Sequence, residues 1–254
     1  MQSHKPRREI AYVSILGTTQ MHLRNPWIIA WWSASIPGFG HLLLSKYLRA
    51  FVLISWEMLI NSQAKINLAM MYSFTGRFEL AKHTLDIRWM SLYAPVYLFA
   101  IYDSYRTTVD LNNMYVLANR EKAPFAIFRI QPMEIYYLDK RTPWVASVWS
   151  TLMPGLGQLY IHRIIASFFV LTVWIGIIYK SHYLEAVQYT LLGEFSKVVP
   201  VINAQWLLFL PSIYSFAIYD AYVNTVENNK LFDKEQAHFL KENYQSAFDM
   251  PMMK

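Results

Sequence analysis

The chain has 254 residues, of which 55% are hydrophobic, 17% aromatic and only 16% charged, against about 25% charged in ordinary soluble domains. Its net charge of +6 comes from basic residues scattered between apolar runs rather than gathered in a stripe, which argues against nucleic acid as a partner and for anionic lipid headgroups. There is no cysteine, which excludes disulfides, thiolate nucleophiles and Cys-ligated metal centres.

Residues 1–24 read as a basic N-terminal tail carrying Lys5, Arg7 and Arg8, followed by the short run Ile10 to Leu16. That run is at the lower limit for a signal-peptide core and has no small-residue cleavage site after it, so it is expected to be retained. From Asn25 onward the chain matches itself at a displacement of 117. Pro26-Trp27 falls on Pro143-Trp144, and Pro37-Gly38-Phe39-Gly40 on Pro154-Gly155-Leu156-Gly157. Further on, Phe99-Ala100-Ile101-Tyr102-Asp103 falls on Phe216-Ala217-Ile218-Tyr219-Asp220. About 25 of the 89 positions from Asn25 to Asn113 are identical without a gap, which points to duplication. The expected organisation is a membrane repeat at 25–113, a polar linker at 114–141, a second repeat at 142–230 and a charged C-terminal tail at 231–254.

Each repeat holds three apolar stretches. The first (27–36 and 144–153) ends at Pro-Gly-x-Gly, where the missing proline N–H and the freedom of glycine predict a break. The second (41–62 and 158–179) is long enough to span a bilayer, and the third (89–105 and 206–222) is near the lower limit. If the first stretch crosses the membrane there are six spans and the repeats are inverted. If it turns back there are four spans and the repeats are parallel. The four-span arrangement puts 17 of the 23 Lys and Arg on one side, which by the positive-inside rule is the cytoplasm and also holds both termini. Within the linker, Phe125 to Ile130 and Glu134 to Leu138 look extended, while the C-terminal tail, with Phe232, Phe239 and Leu240 on one face, predicts a surface helix.

The expected class is therefore all-α, a multi-pass helical membrane protein made of two tandem homologous repeats. Asp103 and Asp220, each in Tyr-Asp-x-Tyr near the end of the third stretch, are the leading polar candidates. Each could bind a neighbouring Tyr, a basic residue or the turn of the first stretch, or the two could form a pseudo-symmetric cation or proton site. Glu57 stands in mid-span where the other repeat has Trp174, with Asn61 or His41 as expected partners; an intramembrane carboxylate is a functional-site hypothesis by default. His41 and Gln158 follow the glycine turns built from Pro37, Gly38, Gly40, Pro154, Gly155 and Gly157. Lys46, Arg49 and Arg163 are expected to reach lipid phosphates. No phosphate loop, nucleophile elbow or metalloprotease helix occurs, and no cofactor or metal is implied.

With its Gly-rich turn, nearby aromatic and late acid, seen at Gly155, Gly157, Tyr160 and Asp220, the chain resembles the two-transmembrane-hairpin domain family. The first repeat departs from that pattern, with Leu43 where the aromatic is expected. The chain as a whole resembles an uncharacterised multi-pass membrane protein family of Bacillota. That resemblance implies a bacterial plasma membrane and supplies no activity. Three functions stay open: a non-catalytic scaffold, assembly or regulatory module working as a homo-oligomer or with other membrane proteins; a small transporter or channel using the carboxylates; and a membrane enzyme acting on lipid.

Overall fold

The computed structural model describes residues 7–14, 16–121, 123, 125, 128–130 and 135–244. Helices make up 75% of it, so the class is all-α. The chain opens on a hairpin, β1 (Ala11–Ser14) and β2 (Gly17–Gln20), and continues through α1 (Pro26–Ser35), α2 (Phe39–Leu43) and α3 (Tyr47–Ala64). Then come α4 (Ile66–Phe74), α5 (Phe78–Thr84) and the long α6 (Ile87–Glu121). A second hairpin, β3 (Phe128–Ile130) and β4 (Ile135–Tyr137), leads into α7 (Pro143–Leu152), α8 (Leu156–Tyr160) and α9 (Ile164–Ser181). The chain closes with α10 (Tyr183–Leu191), α11 (Phe195–Val201), α12 (Ala204–Leu207) and α13 (Leu210–Tyr244).

Local rules account for the boundaries. Pro26 and Pro143 occupy the first turn of α1 and α7, where no N–H is needed, and the Asn25 side chain caps the Trp27 N–H. Both helices stop before Pro-Gly. Gly38 has φ 103° and Gly155 φ 109°, a region open to glycine and strained for any other residue. The second glycine of each turn serves closeness instead: a Cβ on Gly40 would collide with the Ile29 carbonyl and the Ser33 hydroxyl, and one on Gly157 with their counterparts at Ala146 and Ser150. The break expected at each Pro-Gly-x-Gly is therefore present, and α2 and α8 fold back against α1 and α7.

Two features differ from the sequence expectation. The run Ile10 to Leu16 carries a strand that the sequence does not announce: its described part contributes β1, with Ile10 and Ala11 buried. The helices that carry the third apolar stretches do not end near Tyr105 and Tyr222, because α6 continues to Glu121 and α13 to Tyr244. Asp103 and Asp220 consequently lie in mid-helix. Of the extended-looking linker, Phe128–Ile130 and Ile135–Tyr137 are strands, while residues 126, 127 and Glu134 lie outside the described residues, as do Lys5 and the tail beyond Tyr244.

The elements recur at a constant spacing. Each of α7 to α11 begins and ends 117 residues after its counterpart among α1 to α5. The hairpins follow suit: Ala11 pairs with Gln20 in the first, Phe128 with Tyr137 in the second. Ser45 and His162, likewise 117 apart, both have φ 58°.

One large core joins both halves: Ile29, Phe39, Leu43 and Ile54 pack with Val170, Ile177, Ile213 and Phe216, and Phe39 stacks on Phe216 with ring centroids 4.0 Å apart. A second, smaller core of Ile10, Ala11, Ala118, Leu138 and Leu231 ties the hairpins to the far ends of α6 and α13. Two helical stretches, Ile164–Ser181 and Ala204–Tyr244, are long and apolar enough to cross a membrane.

Candidate functional site

The polar residues singled out by sequence fall into three separate clusters. The first is fully buried. Asp220 on α13 accepts hydrogen bonds from Arg163 Nη1 at 2.5 Å, from Gln158 Nε2 at 3.0 Å and from Asn224 Nδ2 at 2.8 Å. Gln158 Nε2 also donates to the Ala217 carbonyl (2.9 Å), and Arg163 Nη2 to the Leu42 carbonyl (3.2 Å). The glycine turn sets this arrangement: α8 starts at Leu156, which aims Gln158 at α13, and Arg163 precedes α9 directly. A buried ion pair is tolerated when further hydrogen bonds engage its donors and acceptors, and here Asp220 has three side-chain donors and Arg163 a backbone carbonyl as well. Arg163 therefore does not reach out to lipid phosphates; it is consumed by Asp220 and by the backbone of the first half.

The second cluster is the counterpart 117 residues earlier, and it is more open. Asp103 Oδ2 accepts from His41 Nε2 at 2.9 Å and from Arg49 Nη1 at 2.8 Å. His41 is completely buried, whereas the Arg49 side chain is 58% exposed. His41 is thus the partner of Asp103 and not of Glu57. The position matching Arg163 is Lys46, which is exposed and whose side chain makes no hydrogen bond or ion pair among the described residues. Arg49, one turn further along α3, has taken over the carboxylate.

The third cluster surrounds Glu57. Asn61 Nδ2 donates to Glu57 Oε1 at 2.8 Å, the partner the sequence suggested. Sequence reasoning did not reach Asn67 or Gln205. Gln205 Nε2 donates to Asn61 Oδ1 (2.8 Å), Asn67 Nδ2 donates to the Gln205 carbonyl (3.0 Å), and Gln205 Oε1 accepts from the Leu68 N–H (2.9 Å). These contacts span 137 to 144 residues, so no local pattern announces them. Tyr93 on α6 interacts with the Glu57 carboxylate, and Oε2 itself accepts no hydrogen bond among the described residues.

A further polar corner lies at the hairpin end of the molecule. His22 sits between Arg24, Glu227 and Lys230, with Nδ1 3.2 Å from the Leu23 carbonyl and 3.5 Å from Glu227 Oε2. Burial first, and then the Arg24 charge, push His22 down to about 4 despite the opposing pull of Glu227. A base with a folded pKa below its unfolded value of about 6.5 is neutral in the fold, so it costs stability only under acid conditions. Unfolding in detergent is expected to show stability falling between pH 6.5 and about 4, by on the order of 2–3 kcal/mol. His22→Gln should flatten that slope, and a slope unchanged in the variant would refute the assignment.

Comparison of the chain with family models, with curated proteins and with solved structures gives no match in any of the three.

Proposed function

We propose that the chain is a multi-pass integral protein of a bacterial cell membrane, formed by duplication of a unit of 117 residues, and that it acts as a non-catalytic scaffold, assembly or regulatory module. The constant spacing of helices, strand registers and left-handed residues supports the duplication. It also supports a unit that begins at the hairpin rather than at Asn25. Two helical stretches have the length and apolarity to span, and the outer faces of α3 and α6 extend the argument. Polar Glu57 and Asn61 are turned inward, while Leu48, Val52 and Leu59 on α3 and Leu98 and Phe99 on α6 are exposed. An apolar exterior of this extent suits lipid. Four spans (α3, α6, α9 and α13) with α1–α2 and α7–α8 as turned-back pairs put both hairpins and both termini on the cytoplasmic side. The kinship with the two-transmembrane-hairpin family and with the Bacillota membrane family is part of this reading.

One observation carries the scaffold reading: the matched carboxylates are used up as helix locks, Asp220 with three side-chain donors and Asp103 with two. A second reading, a small transporter, is favoured by one observation alone, the buried Glu57 Oε2 that accepts no hydrogen bond among the described residues. Reconstitution separates them. Vesicles holding the wild-type chain are expected to pass protons and sodium no faster than empty vesicles, and Glu57→Gln and Asp103→Asn should behave alike. A flux that appears with the wild type and disappears in Glu57→Gln overturns the scaffold reading.

A further inference from the structure

The two halves carry matching cavities that differ in content. The first is lined by Thr19, Gln20, Met21, His22, Arg24 and Leu44, with Ser45, Lys46, Thr108, Leu111 and Asn112, and has a volume of about 160 Å³. The second lies among Tyr136 to Asp139, Arg141, Ile161, His162, Thr225 and Asn228 and has about 10 Å³. Every residue of the second wall stands 117 positions after one of the first. About 10–15 Å³ is needed to hold a single water, so the second cavity is closed and the first has room for a group several times that size.

Side chains explain the difference. In the second half the Tyr136 ring stacks on the His162 ring, with centroids 3.9 Å apart, and fills the space. The corresponding residues of the first half are Thr19 and Ser45. The charges differ as well. In the second half Arg141 is paired with Asp139 at 3.0 Å and Arg163 with Asp220 at 2.5 Å. In the first half His22 replaces Asp139, so the Arg24 side chain makes a 3.4 Å contact to Asn224 Oδ1 and no ion pair among the described residues, and the carboxylate of Asp103 is taken by Arg49 rather than Lys46. Two acids act on this corner and both are engaged, Asp220 by Arg163 Nη1 at 2.5 Å and Glu227 by Lys230 Nζ at 2.7 Å, with His22 Nδ1 3.5 Å from Glu227. Two further features favour an anion. His22 Nε2 is buried without a hydrogen-bond partner. The α3 N-terminus at Lys46 carries no side-chain cap, and uncapped N–H groups attract anions.

We propose that the first cavity binds a phosphate group, held by Arg24, Lys46 and the N-terminus of α3, with His22 Nε2 accepting a hydrogen bond from the P–OH of the singly protonated ester or anion, which keeps its proton. Such a group could belong to a lipid headgroup or to a free phosphate. Binding of free phosphate does not depend on the membrane reading; only the lipid source does.

The test titrates the full-length protein in detergent with pyrophosphate and, separately, with phosphatidic acid and phosphatidylcholine, reading bound species by native mass spectrometry. Retention of phosphatidic acid over phosphatidylcholine, displaced by pyrophosphate only at large excess, identifies a headgroup site. Binding of pyrophosphate without lipid preference identifies a free-phosphate site, and leaves the site intact even if the membrane reading fails. Lys46→Gln, at an exposed position, should weaken binding at least about tenfold. Thr19→Tyr combined with Ser45→His, which copies the filled cavity while keeping every charge, should abolish it. Neither anionic probe binding the wild type, or both variants binding as tightly as the wild type, overturns the proposal.

Discussion

Arg163→Met is expected to cost about 3–5 kcal/mol, because it strands the Asp220 carboxylate in a site with no solvent to receive the charge. Both side chains are almost wholly buried, at 2% and 0% exposure, so no water shell can substitute for the guanidinium. The same change also frees the Leu42 carbonyl, which couples the loss to the packing of the two halves. Replacing both partners, Arg163→Met with Asp220→Leu, should recover most of the stability, since an apolar pair of similar volume leaves no uncompensated charge. Asp103→Asn provides the contrast. Arg49 is largely solvent-exposed, so that loss should stay within about 1 kcal/mol. Apparent unfolding midpoints in detergent, measured for all three, check the ordering. A single Arg163→Met no worse than Asp103→Asn would show that the buried pair is not a lock.

Gly157→Ala is expected to be the most damaging single-methyl substitution, at roughly 2–4 kcal/mol, at or above the usual range for overpacking. The added Cβ would meet the Ala146 carbonyl and the Ser150 hydroxyl inside contact distance, and Ala221 Cβ at 2.9 Å. None of these is the free end of a flexible chain, so α8 must shift away from α7. A shift there moves Gln158 off Asp220, so the substitution reaches the lock through the backbone. Gly40→Ala should act in the same way through Ile29 and Ser33. Gly176→Ala is the control: nothing lies within 4 Å of a Cβ at that helical position, and removing a helical glycine should be neutral or stabilising by up to about 1 kcal/mol. Equal melting points for Gly157→Ala and Gly176→Ala would contradict the close approach inferred for the turn.

These two sites also show what could be read in advance. The Pro-Gly-x-Gly turns and the paired aspartates stand out in the sequence because backbone freedom and an acid amid apolar residues are local features, visible one residue at a time. The hairpins are less visible. Ala11 to Gln20 and Phe128 to Tyr137 share a register but scarcely a residue, so the self-match stops at Arg24 although the spacing of elements continues to Ala11. The lengths of α6 and α13 were hidden by their change of character, apolar as far as the Tyr-Asp-x-Tyr motif and polar beyond it, which resembles an end until the smaller core around Ala118 and Leu231 is seen to hold it. Arg163 looked like a lipid-facing cation because nothing nearby in sequence opposes it; its partner is 57 residues away. The Glu57 network needed Asn67 and Gln205, brought together only by the packing of α12 on α4.

The central claim, a duplicated unit with both hairpin ends facing the same compartment, is tested most directly by the chain's freedom from cysteine. Single cysteines at the exposed positions Lys82, Arg120, Lys197 and Lys241 can be challenged with a membrane-impermeant maleimide in intact cells. The account predicts that Lys82→Cys and Lys197→Cys react from outside, and that Arg120→Cys and Lys241→Cys react only after the membrane is opened. Labelling of Lys82→Cys and Lys197→Cys from opposite sides, or recovery of the protein from the aqueous fraction without detergent, would contradict it.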